Sequence, residues 1–318
     1  MANIDVFNGD ADGICALQQL RLEQPLDSVL VTGVKRDINL LERVRAGAGD
    51  SVVVLDISLD KNREDLCRIL ERGASVHYFD HHFAGEIPDS PALTATIDTR
   101  PTVCTSLLVN QHLEQKFPAW AVVGAFGDNL DNSARAAAAP LALNEEQLEQ
   151  LRQLGIYLNY NGYGASVEDL HFPPDRLFRS LQPYADPLAF VRESDIFIRL
   201  KQGYDDDMAK ARQLQPERKT TQYAVYLLPA EPWARRISGV LGNWLAREAP
   251  QRAHALLTRL PDGGYVVSVR APLANREGAD ELCRQFPTGG GRKAAAGINH
   301  LPEEALDRFI ARFQESYS

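Results

Sequence analysis

Short apolar runs that end in an acidic residue or a turn alternate with helix-like segments along the first half of the chain. Residues 4–7, 52–55 and 76–79 are such runs, and helical patterns lie at 17–22 and 66–70. Runs of this length between turn signals are typical of buried strands, and apolar positions three or four apart indicate helices. Strands that alternate with helices predict βαβ crossovers and a parallel sheet.

Each predicted strand delivers acid at its carboxyl end. Asp10 and Asp12 follow the first run, Asp56 follows the second, and Asp80 follows the third. In parallel α/β sheets, ligands bind at the carboxyl ends of the strands. The sequence therefore predicts a functional site at this edge of the sheet.

The second half of the chain reads as a separate, smaller α/β domain. A polar, charge-rich stretch, 202–219, divides two regions with apolar patterns. After it we predict a strand, a helix, paired strands and a closing helix, at 223–228, 234–249, 255–258, 265–269 and 303–316. The predicted organisation is an N-terminal domain over 1–200, a linker over 201–220 and a C-terminal domain over 221–318, with the active-site cleft between the two domains.

Composition and charge narrow the function classes. The chain has 318 residues with a net charge of −9, of which residues 221–318 carry +2 and residues 1–220 carry −11. This balance argues against a broad basic surface for long nucleic acids. The four cysteines are scattered without C-x-x-C spacing, and neither a signal peptide nor a membrane span is visible. We expect a cytoplasmic protein.

Mixed carboxylate and imidazole chemistry points to a divalent metal. Asp10 and Asp12 alone are also compatible with a turn that caps the next helix. Acids at three strand ends would repel one another unless a cation lay among them. His81 and His82 add imidazoles, a mixture that suits Mn²⁺ better than Ca²⁺, and two ions sharing a carboxylate would activate water for attack on phosphorus.

The N-terminal motifs resemble those of the DHH phosphoesterases, a family named for the Asp-His-His found here at 80–82. The D-A-D-G at 10–13 is similar to the first motif of the family, Asp56 to the second and Asp128, after an apolar run, to the fourth. The order of the motifs and their strand contexts match. The resemblance covers nearly the whole chain.

A C-terminal motif extends the resemblance to the DHH-associated domain. The segment 289–297, G-G-G-R-K-A-A-A-G, is similar to that domain's G-G-G-H-x-x-A-A-G signature, and Arg270 lies in a preceding S-x-R strand. Consecutive glycines let backbone N–H groups approach an anion. The alternative for the glycine run is a flexible loop before a helix.

The resemblance implies a role for each matching residue. It implies two Mn²⁺ ions with Asp56 as the bridge, and a catalytic centre of Asp80, His81 and His82 in which Asp80 and His82 orient ligands or touch the substrate. The implied metal ligands are Asp10, Asp12, Asp56, His81 and Asp128. The implied contacts to phosphate or nucleotide are Arg270, Gly289, Gly290, Gly291, Arg292 and Lys293.

Two positions depart from the family pattern. Family members carry a His or an extra Asp just ahead of the first D-x-D, where this chain has Val6, Phe7 and Asn8. An amide oxygen is a poorer ligand for Mn²⁺ than imidazole or carboxylate, so one of the two metal positions is weakened. The C-terminal signature reads Arg292 where the family has His, which predicts a different hold on the substrate phosphate.

Three functions stay open at this point. The first is a Mn²⁺-dependent hydrolase of small nucleotides or short oligonucleotides, including exonuclease action, which the small C-terminal domain and the net acidity favour. The second is a phosphoanhydride hydrolase acting on polyphosphate or pyrophosphate, and the third is a non-catalytic nucleotide-binding protein. The expected partners are a small phosphorylated substrate and, as an open option, a second copy of the chain, but neither long duplex nucleic acid nor a membrane. A cysteine or serine nucleophile around Cys104 or Cys15 is a weaker rival, since both thiols are expected in the core.

Overall fold

Five short strands form the sheet of the N-terminal unit. In the computed structural model, which describes residues 1–318, the chain divides into two units, 1–202 and 203–318. The strands of the first unit are β1 (Asn3–Phe7), β2 (Val29–Val31), β3 (Ser51–Leu55), β4 (Ser75–Asp80) and β5 (Leu93–Ile97). Their order is β2-β1-β3-β4-β5, and every neighbouring pair is parallel. The predicted parallel sheet is confirmed.

Nine α-helices accompany these strands, the last of which crosses the division between the units. They are α1 (Ala11–Glu23), α2 (Leu59–Glu71), α3 (Thr105–His112), α4 (Pro118–Gly127), α5 (Asp131–Ala138), α6 (Glu145–Gly162), α7 (Pro174–Leu181), α8 (Pro187–Glu193) and α9 (Asp195–Ala211). Helix α1 begins where the Asp10 side chain accepts hydrogen bonds from the N–H groups of Asp12 and Gly13. This capping satisfies backbone donors that the first turn of a helix leaves free.

Apolar residues of β3 and α2 show why the first unit folds around its sheet. Val52 and Val54 are fully buried, as are Leu66 and Ile69 on the inner face of α2. Each such side chain stabilises the fold by about 1.5–3 kcal/mol. The helical pattern at 66–70 is therefore the core face of α2, as predicted.

The second unit has a mixed six-stranded sheet. Its strands are β6 (Arg218–Lys219), β7 (Tyr223–Leu228), β8 (Ala253–Arg259), β9 (Tyr265–Arg270), β10 (Gly289–Arg292) and β11 (Ala295–Leu301), and its helices are α10 (Pro232–Glu248), α11 (Ala279–Cys283) and α12 (Leu306–Tyr317). The strand order is β10-β11-β9-β8-β7-β6, in which only β7 and β8 pair in parallel. Helix α10 makes the crossover between these two strands. The predicted strands, central helix and closing helix of a small α/β domain are all present.

Two segments differ in structure from their pattern. The charge-rich stretch at 201–220 contains the end of α9 and the strand β6, and Asp207 within it forms a buried ion pair with Arg236 at 2.9 Å. The glycine run is the strand β10 rather than a loop before a helix. A Cβ atom on Gly289 would lie 1.8 Å from the carbonyl oxygen of Cys283, so only glycine permits this close packing.

None of the helices is both long and apolar enough to cross a membrane. All four cysteines are free thiols.

Candidate metal centre

The carboxyl edge of the first sheet brings the predicted acidic residues together. Strand β1 leads to Asp10 and Asp12, strand β3 to Asp56, and strand β4 to the Asp-His-His at 80–82. Because β1, β3 and β4 are adjacent and parallel, their carboxyl ends meet. Asp128 joins them from the C-terminal end of α4, where it is the capping residue.

Asp56 directly follows β3, the central strand of this group. Its backbone has a φ of 61°, in the left-handed region, and the residue is 3% exposed. The Thr105 hydroxyl donates a hydrogen bond to Asp56 Oδ1 at 3.1 Å. Burial, together with the charges of Asp12 and Asp10, raises the pKa of Asp56 well above its ordinary value. A non-glycine residue held at positive φ is uncommon and is typical of functional positions.

His81 presents one ring nitrogen to the acidic group. Its Nδ1 lies 2.9 Å from the carbonyl oxygen of Val103, which can only accept, so Nδ1 is the donor. Nε2 lies 3.4 Å from Asp56 Oδ1 and 3.9 Å from Asp128 Oδ2. Burial lowers the pKa of His81, but the hydrogen bond and charge of Asp56, with the charges of Asp12 and Asp128, outweigh it and raise the pKa to about 10. Without a metal, His81 is thus an imidazolium at neutral pH.

Asp80 supports the second histidine through one of its two oxygens. It is fully buried, and its Oδ1 lies 2.7 Å from His82 Nδ1. The His82 ring packs edge-on against the His81 ring, with 4.4 Å between their centroids. His82 Nδ1 lies 4.0 Å from Asp56 Oδ1. A carboxylate that bonds an imidazole fixes the orientation of the ring, an arrangement common behind metal-binding histidines.

Asp12 is anchored to the start of helix α3. Its two carboxylate oxygens accept hydrogen bonds from the backbone N–H groups of Thr105 and Ser106, at 2.7 and 2.8 Å. These are N–H groups of the first turn of α3, which have no partner within the helix. Asp12 therefore links the acidic group to α3, and these two hydrogen bonds fix the orientation of its carboxylate.

Asp128 has one oxygen without a hydrogen-bond partner. Asp128 Oδ2 is buried and accepts no hydrogen bond, and a buried acceptor without a partner is destabilising. Burial raises the pKa of Asp128 above its ordinary value, an effect that the charge of Lys35 opposes and the charge of Asp12 reinforces. This oxygen is oriented towards His81 and is available to a cation.

The donor atoms on this side of the site fit a divalent metal ion. Ligand atoms of Asp56, His81 and His82 all lie within 4.8 Å of one another. The unpaired oxygen of Asp128 and the mutual repulsion of the carboxylates are the features that a bound cation would relieve. Carboxylate oxygens combined with imidazole nitrogen suit first-row divalent ions.

Lys35, which the sequence reasoning missed, lies on the other side of the same site. Its ammonium group forms a short ion pair with Asp10 Oδ2, donates to Asn159 Oδ1 at 2.9 Å and lies 4.0 Å from Asp128 Oδ1. Burial lowers the pKa of Lys35, but the charges of Asp10 and Asp128 and the hydrogen bond to Asp10 prevail and raise it well above its ordinary value. The same pairing overcomes the effect of burial on Asp10 and lowers the pKa of that carboxyl.

One signal in the sequence could have revealed Lys35. It follows strand β2 by only a few residues, and β2 pairs in parallel with β1, so the rule of carboxyl ends applies to it as well. Thr105, whose hydroxyl bonds Asp56, was missed as well. Both Cys15 and Cys104 are fully buried, and burial raises the pKa of each thiol well above its ordinary value, so neither has the character of a thiolate nucleophile.

The substrate residues predicted for the C-terminal unit share one part of its sheet. Arg292 on β10 pairs with Ala295 on β11, which in turn pairs with Arg270 on β9. The Arg270 guanidinium donates to Asn243 Oδ1 at 2.7 Å and to Ser268 Oγ at 2.9 Å. Arg292 is exposed, and Lys293 lies 3.6 Å from Glu277. The roles of these residues and of Gly289, Gly290 and Gly291 in substrate binding remain a prediction.

Solved structures provide the comparison for this arrangement. Neither a protein-family model nor a curated protein sequence matches the chain. An exonuclease RecJ bound to manganese superposes with a TM-score of 0.63 at 18% identity, over 98% of this chain and 89% of that one. RecJ from Thermus thermophilus in complex with Mn²⁺ superposes with a TM-score of 0.64 at 20% identity, over 98% of this chain and 51% of that one.

The chain has the fold of RecJ. The pGpG-specific phosphodiesterase PggH from Vibrio cholerae shares the RecJ fold with it, with a TM-score of 0.55 at 14% identity, over 99% of this chain and 98% of that one. RecJ and PggH are DHH-family members, so the resemblance to DHH phosphoesterases is confirmed at the level of the fold. At these identities, the assignment of individual ligands depends on the geometry of this chain itself.

Proposed function

We propose that this chain is a divalent-metal-dependent phosphoesterase that hydrolyses small nucleotides or short oligonucleotides. The observation that carries the proposal is the cluster of Asp56, His81 and His82, with the unpaired oxygen of Asp128 beside it, at the carboxyl edge of a RecJ-type sheet. Perturbed carboxylates and imidazoles concentrated at one edge are typical of catalytic sites.

Some residues on this edge would bind the metal ion, and others would orient those ligands. Asp56, His81, Asp12 and Asp128 would hold the ion, which when bound supplies Lewis-acid polarisation of the phosphoryl group and a water of lowered pKa. Val103 and Thr105 fix the orientation of His81 and Asp56 through their hydrogen bonds.

His82 is the residue best placed to contact a substrate. Its side chain is 41% exposed, in contrast to the buried His81, and Asp80 orients its ring. An imidazole held by a buried carboxylate can donate a hydrogen bond to a phosphoryl oxygen or protonate a leaving group. We assign His82 this role and leave metal binding to His81.

Mn²⁺ is the ion that we propose. The ligand set joins imidazole nitrogen to several carboxylate oxygens, which favours a borderline ion over Ca²⁺. The neighbours give some support, because two RecJ structures are described with manganese and another with Mg²⁺.

The substrate that we propose is small. Residues 1–220 carry a net charge of −11, so the metal-binding half lacks the excess of Lys and Arg with which proteins grip long nucleic acids. PggH, whose whole length the chain matches, is described as pGpG-specific. The C-terminal unit offers Arg292 and Lys293 as exposed cations for a phosphate, with Arg270 on the same row of strands.

Phosphoanhydride hydrolysis is the second candidate. The same cluster would serve it, and the replacement of the family histidine by Arg292 favours a substrate richer in phosphate, because a guanidinium forms bidentate bonds with phosphoryl oxygens. Such an enzyme would release phosphate from polyphosphate without nucleoside products. A protein that only binds nucleotides is the third candidate.

A substrate panel with a matched variant separates these candidates. The purified chain is incubated with Mn²⁺ and pGpG, short oligoribonucleotides, a bisphosphorylated nucleotide or polyphosphate, and products are measured by chromatography and phosphate release. Asp56→Asn is the sharpest variant, because Asn tolerates the positive φ of this position and can still accept the Thr105 hydrogen bond. We expect hydrolysis of one nucleotide substrate, and a loss of at least about a thousandfold in Asp56→Asn, equivalent to about 4 kcal/mol.

Asp262→Asn is the matched control, since Asp262 is exposed in a turn of the C-terminal unit. It should leave the rate unchanged. Phosphate release from polyphosphate alone would move the assignment to the second candidate. Tight nucleotide binding without turnover of any substrate would overturn the enzyme proposal.

A further inference from the structure

The position beside Asp10 is already filled by a side chain of this protein. The Lys35 ammonium lies within hydrogen-bonding distance of Asp10 and Asn159 and 4.0 Å from Asp128 Oδ1. These three oxygens are of the kind that would hold a second Mn²⁺ or Mg²⁺. We infer that Lys35 takes the place of one metal ion, so that the chain binds a single divalent ion, on the side of Asp56 and His81. This inference rests on the proposed function and concerns the composition of the same site.

Asp10 differs from Asp12 because one of its oxygens already carries a cation of the protein. Its Oδ1 accepts two hydrogen bonds, from the N–H groups of Asp12 and Gly13, at 3.0 and 3.1 Å. Its Oδ2 is paired with Lys35. Both oxygens are therefore occupied by donors from the protein, in contrast to Asp128 Oδ2, which has none.

Lys35 is held in place at both ends. Its backbone N–H donates to the carbonyl oxygen of Gly162 at 2.8 Å, and its own carbonyl accepts from Asn8 Nδ2 at 3.3 Å. The ammonium lies over the ring of Tyr163, 5.6 Å from its centroid, and the side chain is only 23% exposed. A lysine fixed in this way does not swing aside at low cost to admit a second ion.

Asn8, which lies just ahead of the D-x-D motif, helps to hold Lys35 in place. Asn8 Oδ1 accepts from the Asp10 N–H at 3.2 Å, and its amide N–H₂ holds the Lys35 carbonyl. A Cβ atom on Gly9 would lie 2.0 Å from the carbonyl oxygen of Gly33, so the two loops touch here. An amide has both an acceptor and a donor, whereas an ionised carboxylate could not donate to a carbonyl. Asn8 thus serves to position Lys35 instead of binding a metal.

Metal stoichiometry tests the inference directly. The full-length chain is loaded with Mn²⁺ and desalted, the bound metal is counted by elemental analysis against protein concentration, and the electron paramagnetic resonance spectrum is recorded. We expect one Mn²⁺ per chain with the hyperfine pattern of an isolated ion. In Lys35→Met, which keeps the length of the side chain and removes its charge, we expect two ions per chain and an exchange-coupled spectrum.

Two matched variants control for charge and folding. Lys35→Arg retains a cation and should bind one ion, and Lys116→Met removes an exposed lysine paired with Glu23 and should also bind one. A thermal melt of each variant monitors folding. If Lys35→Met does not fold, two ions in the wild-type chain would still overturn the inference.

The outcomes separate this inference from the proposed function. Two ions in the wild-type chain together with hydrolysis would overturn the role of Lys35 and leave the phosphoesterase proposal standing, and so would a single ion in folded Lys35→Met. Absence of both bound metal and hydrolysis would overturn the two together. One ion in the wild type and two in Lys35→Met would establish the substitution.

Discussion

The two sides of this site meet the same electrostatic problem with different cations. On the metal side, formed by Asp12, Asp56, His81 and Asp128 Oδ2 with His82 beside them, one buried oxygen lacks a partner and the carboxylates repel one another. On the lysine side, formed by Lys35, Asp10, Asn159 and Asp128 Oδ1, each acidic oxygen has a cation or an N–H beside it. On the first side a cation from solution would replace the proton of His81, whereas the second side carries the Lys35 ammonium.

A family motif can therefore keep its residues while their task changes. Asp10 stands where the D-x-D motif of the family places a metal ligand, yet its contacts are those of a helix cap and an ion pair. Asp12, two residues later, bonds to the start of α3 and remains on the metal side. Spacing alone does not distinguish these two roles, because it does not show which other side chains reach the same place.

The largest effect on activity is expected from a substitution on the metal side, at His81. His81→Gln removes the imidazole whose Nε2 lies 3.4 Å from Asp56, and a neutral amide oxygen is a weaker ligand. We expect kcat/KM to fall about a thousandfold, equivalent to about 4 kcal/mol. Steady-state kinetics at saturating Mn²⁺ measure it.

His300→Gln is the control for this variant, since His300 is exposed in the C-terminal unit. It should keep the rate of the wild type. A loss of less than about tenfold in His81→Gln would show that the imidazole is not a ligand.

Whether the sequence predicts a strand depends on the length of its apolar run and on the residues that follow it. Strands β3 and β4 are apolar runs that lead into Asp56 and Asp80. The apolar run and the acidic residue after it predicted both strands and the edge of the sheet at which they end. Strand β2 has only three residues, all apolar but exposed or half-buried, and so short an apolar run does not predict a buried strand. It was missed, and Lys35 was missed with it.

Contacts between distant segments are the other limit. The partner of Lys35, Asn159, lies 124 residues away near the end of α6, and the Thr105 that bonds Asp56 is 49 residues from it. No local periodicity relates such pairs, because they depend on how helices pack over the sheet. The glycine run at 289–291 shows a related limit, since its packing against Cys283 makes it a strand where composition alone also allowed a loop.

The second prediction concerns pH and applies to the metal side. Because Asp56, Asp12 and Asp128 raise the pKa of His81 to about 10, the metal-free site is protonated at neutral pH, and the ion must displace that proton. Metal affinity should therefore rise with pH, by about tenfold for each unit between about pH 6.5 and 8.5 when one proton is released. Calorimetric titration with Mg²⁺ in buffers of different ionisation enthalpy measures both the affinity and the proton count.

The His81→Gln variant supplies the internal check on this titration. Its metal binding is weaker, and it should release fewer protons with a shallower dependence on pH. An affinity of the wild type that is independent of pH over this range would contradict the proton linkage of His81.

The smallest expected effect is at Thr105, which contacts the proposed ligands but is not one of them. Its hydroxyl donates to Asp56 Oδ1 at 3.1 Å, and its backbone N–H holds Asp12. Thr105→Val keeps the shape and the backbone bond but removes the hydroxyl, so Asp56 loses one orienting contact while the cap on α3 persists. Removal of a hydrogen bond behind a ligand costs about 10- to 100-fold in metal affinity or activity, and we expect the lower end because Asp12 keeps its own bonds. Thr105→Ser should retain the affinity of the wild type, and a loss in the Ser variant without a loss in the Val variant would assign the effect to packing of the methyl group instead of to orientation of Asp56.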